Sequence, residues 1–228
     1  MDGFMSLPDC LPNRSFVYAY HLLSIMTGFI PEVIIRRHRE ENRKKFPALF
    51  FGQGYIEDQI KWQAIRFGTH PRSNLCYSGC GIIAAWNACF ALQLIPDWTM
   101  AELIAQFEKK GSVLWGGFGV SPLAICRFFR NQHKAVALTY TEKQEPLDRF
   151  GNEHDVYIAT VWNDRKHSRS GLHTVCITKE KDGFVAHNIY RKGSNGKWIP
   201  AEASPTLSQA VNCISKAPKL VVVLGMSR

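Results

Sequence analysis

The chain has 228 residues, 46% of them hydrophobic and 21% charged, proportions of a globular protein that exclude disorder and collagen-like order. That length suffices for one domain with a proper core, or for a domain with an appendage. Much of the formal net charge of +9 sits in Arg36-Arg37-His38-Arg39-Glu40-Glu41-Asn42-Arg43-Lys44-Lys45, where six basic residues meet two acidic ones. This run reads as a solvated helix face with Glu/Lys pairing, and no zinc-finger or recognition-helix signature points to specific nucleic acid.

In chain order, residues 1–13 read as irregular. Arg14 to Ile30 has helical character, and Pro31-Glu32 opens a second helix that runs through the basic segment to about Lys45. Phe46-Pro47 ends it, because the residue before proline is pushed away from helical angles. Ala48 to Tyr55 is a connection, and Ile56 to Phe67 reads as another short helix. Gly81 to Leu94 is apolar on nearly every face, the pattern of a buried helix, and Pro96 closes it. Thr99-Met100-Ala101-Glu102 is a capping box for the next helix, which Gly111 ends. The turn Trp115-Gly116-Gly117-Phe118-Gly119 leads to Ser121-Pro122, a cap and first-turn proline for a helix to about Gln132.

The period then changes from helical to extended. Ala135–Tyr140, Val156–Trp162, Leu172–Thr178, Phe184–Tyr190 and Leu220–Leu224 are β-branched and aromatic runs bounded by turns. Lys181-Asp182-Gly183 is a hairpin signal, and Ser204-Pro205 opens one more helix to about Cys213. Helices first and a mostly antiparallel sheet second predict an α+β fold. Residues 1–59 form a helical extension and residues 60–228 the main domain.

Phe16 to Ile35 is about membrane length but contains Pro31 and Glu32, which are costly in lipid. It reads as a docking helix, with contact to a membrane surface through the basic segment as the alternative. The first fifteen residues carry Asp2, Pro8, Asp9 and Pro12 with no basic start, so no cleavable secretory signal is expected. Seven cysteines are scattered, and several, such as Cys89 and Cys176, sit in apolar runs where a free thiol packs. A reducing, cytoplasmic setting fits this pattern, with peripheral membrane association as the alternative.

Cys80 stands out among them, flanked by Gly79 and Gly81 at the mouth of the apolar helix. A thiol attacks only as thiolate, and the positive end of a helix favours that anion while its unpaired N–H groups can hold an oxyanion. The two glycines would leave space for a substrate carbonyl, although Gly-Cys also begins helices for packing alone. Cys76 is the competing thiol, and no second Cys/His pair with zinc spacing follows it. His173 lies in a strand pattern, where it is either a satisfied core residue or a base. Asn188, in the strand paired with it across the hairpin, would fix the imidazole tautomer and aim the other nitrogen at a thiol. His187 should point to the opposite face from Asn188.

Gly79-Cys80-Gly81-Ile82-Ile83-Ala84, then Gly119-Val120-Ser121-Pro122, then Leu172-His173-Thr174-Val175-Cys176-Ile177 with a polar residue one hairpin later, together resemble the C39-like branch of the papain-fold cysteine peptidases. The resemblance covers roughly residues 60–228. It implies a papain-like fold acting without a cofactor on a peptide or protein substrate. Cys80 would be the nucleophile, His173 the general base and acid, and Asn188 the orienting residue. It also implies that Asn74, six positions before Cys80, supplies the oxyanion-hole side chain. The chain departs from that pattern at Asn74, where glutamine is usual, at Asn188-Ile189, where Asp-Pro is common, and at Ile82, where proline is frequent. An acyltransferase or peptide-tailoring enzyme, and a non-catalytic peptide-binding module, are the other functions this sequence admits.

Overall fold

The structure is a computed structural model that describes residues 13–45, 54–70, 73–94, 99–109, 112–167, 170–189 and 201–228. The expected helix stops at Phe46-Pro47, Pro96 and Gly111, and residues 1–12, lie outside these ranges. Five antiparallel strands form one open sheet: β1 (Ala137–Thr139), β2 (Val156–Trp162), β3 (Leu172–Glu180), β4 (Gly183–His187) and β5 (Lys219–Met226), in the order β1-β5-β2-β3-β4. The helices are α1 (Asn13–Thr27), α2 (Glu32–Lys45), α3 (Leu75–Ser78), α4 (Cys80–Ala91), α5 (Met100–Glu108), α6 (Pro122–Asn131), α7 (Gln144–Glu153) and α8 (Leu207–Asn212). The fold is α+β.

Strand alternation sorts the buried side chains onto two faces. Val156, Ile158, Cys176, Leu224 and Met226 face the core shared with α4, α5 and α6. Tyr157, Ala159, Val161, Val175 and Ile177 face a second core beneath α7 and α8. Every residue of β2 is therefore buried, which is why its sequence is a continuous apolar run. The hairpin forms where expected, Glu180 pairing with Gly183 across a turn at Lys181-Asp182. Gly183 adopts a φ of 131° there, which only glycine tolerates easily.

Three expectations change. Thr206, not Ser204, caps α8 by accepting from Gln209 N–H. Helix α7 has no counterpart in the sequence reading, because Pro146 and Gly151 obscure a short amphipathic pattern that buries only Leu147 and Gly151. The helix expected over 56–67 is instead a single 3-10 turn, Gln59–Trp62, in an otherwise irregular segment.

The reason is that this segment's main-chain groups are taken by side chains. Asn87 of α4 pairs with one residue completely: its Oδ1 accepts from Ile56 N–H at 2.8 Å and its Nδ2 donates to Ile56 O at 3.0 Å. Asn42 of α2 does the same to Arg66, at 2.8 and 2.9 Å. Gln59 N–H donates to Asn188 Oδ1 at 3.2 Å. A helix would need those same groups for itself.

Helices α1 and α2 and the bend between them belong to the first core, through Val17, Ile35 and Ile30 respectively. They meet at a bend of 100°. Buried His38 donates from Nδ1 to Glu108 of α5 at 2.9 Å, and the same carboxylate oxygen accepts from Gly68 N–H. Asn13 donates to Leu220 O of β5. No single helix among the described residues is long and apolar enough to cross a membrane.

Replacing Asn87 by Ala leaves both main-chain groups of Ile56 buried and unpaired. The expected loss is about 3 kcal/mol, read from the urea midpoint with the slope unchanged. A variant as stable as the parent would show that water substitutes for the amide.

Candidate functional site

Helix α4 begins at Cys80, and Gly79 serves both as the C-cap of α3 and as the N-cap of α4. The glycines here are used for packing. A Cβ on Gly79 would come within 2.5 Å of Leu75 O, and one on Gly81 within 3.1 Å of Val120. No side chain caps the start of α4, so its first N–H groups keep their capacity for an anion.

Cys80 is half-buried. Burial pushes its thiol pKa up, while the N–H and hydroxyl of Thr174 and the N–H groups of Gly81 and Cys80 itself draw it partly back. The balance leaves a neutral thiol at pH 7 rather than a standing thiolate. Cys76 is pushed the same way by burial and by Asp58, and its carbonyl accepts from Gln59 Nε2 at 2.7 Å.

His173 is 1% exposed. Its Nε2 lies 2.8 Å from the main-chain oxygen of Asn188. A carbonyl only accepts, so Nε2 carries the proton and Nδ1 holds the lone pair of the neutral ring. Burial drives the pKa down to about 4, opposed by that hydrogen bond.

By strand alternation His173 falls on the face of Val175 and Ile177, whereas Thr174 faces α4 and hydrogen-bonds Thr160 at 3.0 Å. Among the described residues no hydrogen bond joins His173 to Cys80. The two are still neighbours along the chain path, because Thr174, whose N–H reaches the sulfur, follows His173 directly. Strand alternation, not distance along the chain, separates the imidazole from the thiol.

Asn188 meets His173 through its main chain alone. The strand ends at His187, and Asn188 takes a φ of 60°, which breaks the alternation that would have set its side chain. Its Nδ2 donates instead to Gln59 Oε1 at 3.0 Å, and its N–H to Glu57 Oε2 at 2.9 Å. His187 lies on the α4 face, bonded to Thr178 at 3.0 Å and to Glu57 at 2.6 Å, with Tyr55 stacked on its ring at 3.9 Å. Both residues thus converge on Glu57.

Asn74 is the N-cap of α3, its Oδ1 accepting from Tyr77 N–H at 2.8 Å. The cap uses the oxygen and leaves Nδ2, the donor an oxyanion would require. The four residues of α3 and Gly79 separate it from Cys80 along the chain.

Tyr20 of α1 was not legible as a site residue. It is buried, donates from its hydroxyl to Phe118 O at 3.1 Å, and is close enough to Cys80 that a thiolate there raises its pKa. Thr174, Gln59 and Glu57 were likewise missed; short polar side chains far apart in sequence carry no shared pattern. No group of three or more His, Cys, Asp or Glu among the described residues could hold a metal ion.

No protein-family model matches the chain, and no curated protein sequence matches it.

His173 makes stability pH-dependent with a definite sign. Its folded pKa of about 4 lies below the usual 6.5, so between those values the unfolded chain binds a proton the folded chain does not. Stability should therefore fall as pH drops through that window, by up to about 3 kcal/mol. Urea unfolding at stepped pH should show this slope in the parent and a flatter one in His173→Gln, whose amide can still donate to Asn188 O. Equal slopes in both would refute the assignment.

Proposed function

We propose that the protein is a cysteine-dependent hydrolase of peptide bonds with Cys80 as nucleophile, on a fold like that of the C39-like papain-type peptidases. The observation that carries the reading is the start of α4: a half-buried thiol at an uncapped helix N-terminus, with the N–H groups of Gly81 and Thr174 turned toward it. Negative charge developing there meets fixed donors that need no rearrangement.

In this reading the start of β3 shifts against α4 so that His173 Nδ1 reaches the sulfur and removes the thiol proton, and the sulfur bonds to the substrate carbonyl carbon. The tetrahedral oxyanion is held by helix N–H groups and Asn74 Nδ2. Collapse breaks the C–N bond, His173 returns the proton to the leaving amine, and a thioester remains. Water, deprotonated by His173, attacks the thioester and releases the acid and the free thiol. Asn188 acts as a positioning residue through its carbonyl, which keeps the proton on Nε2. An amine in place of water would make the same chain an acyltransferase.

The neutral thiol and the placement of the His173 side chain on the sheet face away from α4 favour a second reading, a peptide-binding module that performs no chemistry. The two readings separate by experiment. With a peptide library as substrate, Cys80→Ala should abolish turnover and His173→Ala should lower kcat/KM by about 10²- to 10⁴-fold. Binding without turnover, unchanged by either substitution, would favour the module.

Asn74→Asp separates capping from catalysis. The carboxylate keeps the cap oxygen, so the melting temperature should hold or rise. Loss of the Nδ2 donor should cut kcat by about 10²-fold with little change in KM. Unchanged kcat would remove Asn74 from the oxyanion site.

A further inference from the structure

The outward face of α1 and of the bend that follows it is apolar where a surface helix is normally polar. The large hydrophobic side chains most exposed among the described residues are Phe29 at 80%, Val33 at 73% and Met26 at 70%. Tyr18, Leu22 and Ile25 continue the same stripe along α1, each about half exposed. Their spacing of three and four residues puts them on one side of the helix, while Val17, Tyr20 and Ser24 fill the buried side. Trp115 and Phe118 stand beside it, both more than half exposed. Trp115 N–H donates to Thr27 Oγ1, and Phe118 O accepts from Tyr20. Apolar surface this continuous marks an interaction site.

Its ends are basic. Arg14 lies over the Tyr18 ring, 5.9 Å from the centroid, at the start of α1. Beyond Val33, the next turn of α2 exposes Arg36 and Arg37, and its last turn exposes Arg43, Lys44 and Lys45. Among the described residues Arg36 has no ion pair, and Arg37 meets only the half-buried Glu41, at 3.9 Å. The only acidic residues exposed along α2 are Glu32 and Glu40.

We infer that this face docks the protein on an anionic membrane surface. Phe29, Met26, Val33 and Leu22 enter the boundary between headgroups and acyl chains, and Arg14, Arg36 and Arg37 meet the lipid phosphates. Two features select a bilayer. The most exposed apolar side chains gather at a 100° bend, so they lead as a corner rather than line a groove. Aromatic and aliphatic residues at that corner, with arginines at its flanks, match the layered chemistry of a lipid interface. The same helix carries Tyr20 against the Cys80 region on its inner face, so docking would hold the candidate site close to the bilayer.

The test is flotation of the full chain with vesicles of phosphatidylcholine alone, and with phosphatidylserine added, at low and high salt. The parent should float with the phosphatidylserine vesicles and be partly released by salt. Phe29→Glu combined with Val33→Glu should lower vesicle binding about tenfold or more. Arg36→Glu should weaken binding less and erase the preference for phosphatidylserine. Leu22→Ser, a milder change, should fall between parent and double variant. All these positions are exposed, so unchanged circular dichroism should accompany each result. Three outcomes overturn the inference: no vesicle binding by the parent, equal binding by the double variant, or a vesicle-free dimer that the same substitutions convert to monomer.

Discussion

The polar seam along residues 56–66 is the constraint on which the other parts depend. It holds α2, α4 and the end of β4 to one stretch of main chain through amides and one carboxylate, in addition to the apolar contacts of Ile56 and Ile65. Asn42 and Asn87 each satisfy both main-chain groups of a single residue, so neither end of the seam can slide without stranding a buried donor and acceptor. Between them Glu57 receives His187 and the Asn188 N–H, and Gln59 exchanges two hydrogen bonds with the Asn188 amide. A network satisfied this fully specifies one arrangement, because any alternative register leaves unpaired groups in a medium of low dielectric.

That seam reaches the chemistry. Glu57 and Gln59 hold Asn188 with a φ of 60°, and this conformation turns its carbonyl toward His173. The carbonyl in turn decides which ring nitrogen bears the proton. The state of the imidazole is thus set from a segment more than a hundred residues earlier in the chain (Gln59 and Asn188 are 129 apart). On the other side of β3, Thr174 offers its N–H and hydroxyl to the Cys80 sulfur. Adjacent residues of one strand therefore serve the two groups of the proposed reaction from its two faces. Burial acts on both, pushing the thiol up and the imidazole down, so the resting site is neutral and not an ion pair.

The N-terminal helices show the same economy of surfaces. Helix α1 buries Val17 and Ser24, brings Tyr20 to the region of Cys80, and turns a row of large apolar residues outward. Its inner face is explained by the core it completes. Its outer face is not, and the basic residues at its ends are what the proposed contact with anionic lipid rests on.

Periodicity and punctuation by themselves determined most of the elements. The apolar run after Cys80, the Thr99 capping box, Ser121-Pro122, and the strands on either side of Lys181-Asp182-Gly183 all express local rules, since each depends on residues within one or two turns. From these followed the α+β class and the position of Cys80 at the first turn of a buried helix. Tertiary structure alone decided what crossed between elements. Residues 56–67 have helical spacing, yet Asn42, Asn87 and Asn188, all distant in sequence, claim the main-chain groups a helix would use. Asn188 was expected to orient the imidazole from the strand paired with β3 across the hairpin. Alternation ends with the strand, and a left-handed residue one step later sends the amide to Gln59 and the carbonyl to His173. Asn74 and Tyr20 make the same point: a cap and a helix face are local, but what their remaining atoms meet is set by chain segments that only the fold brings near.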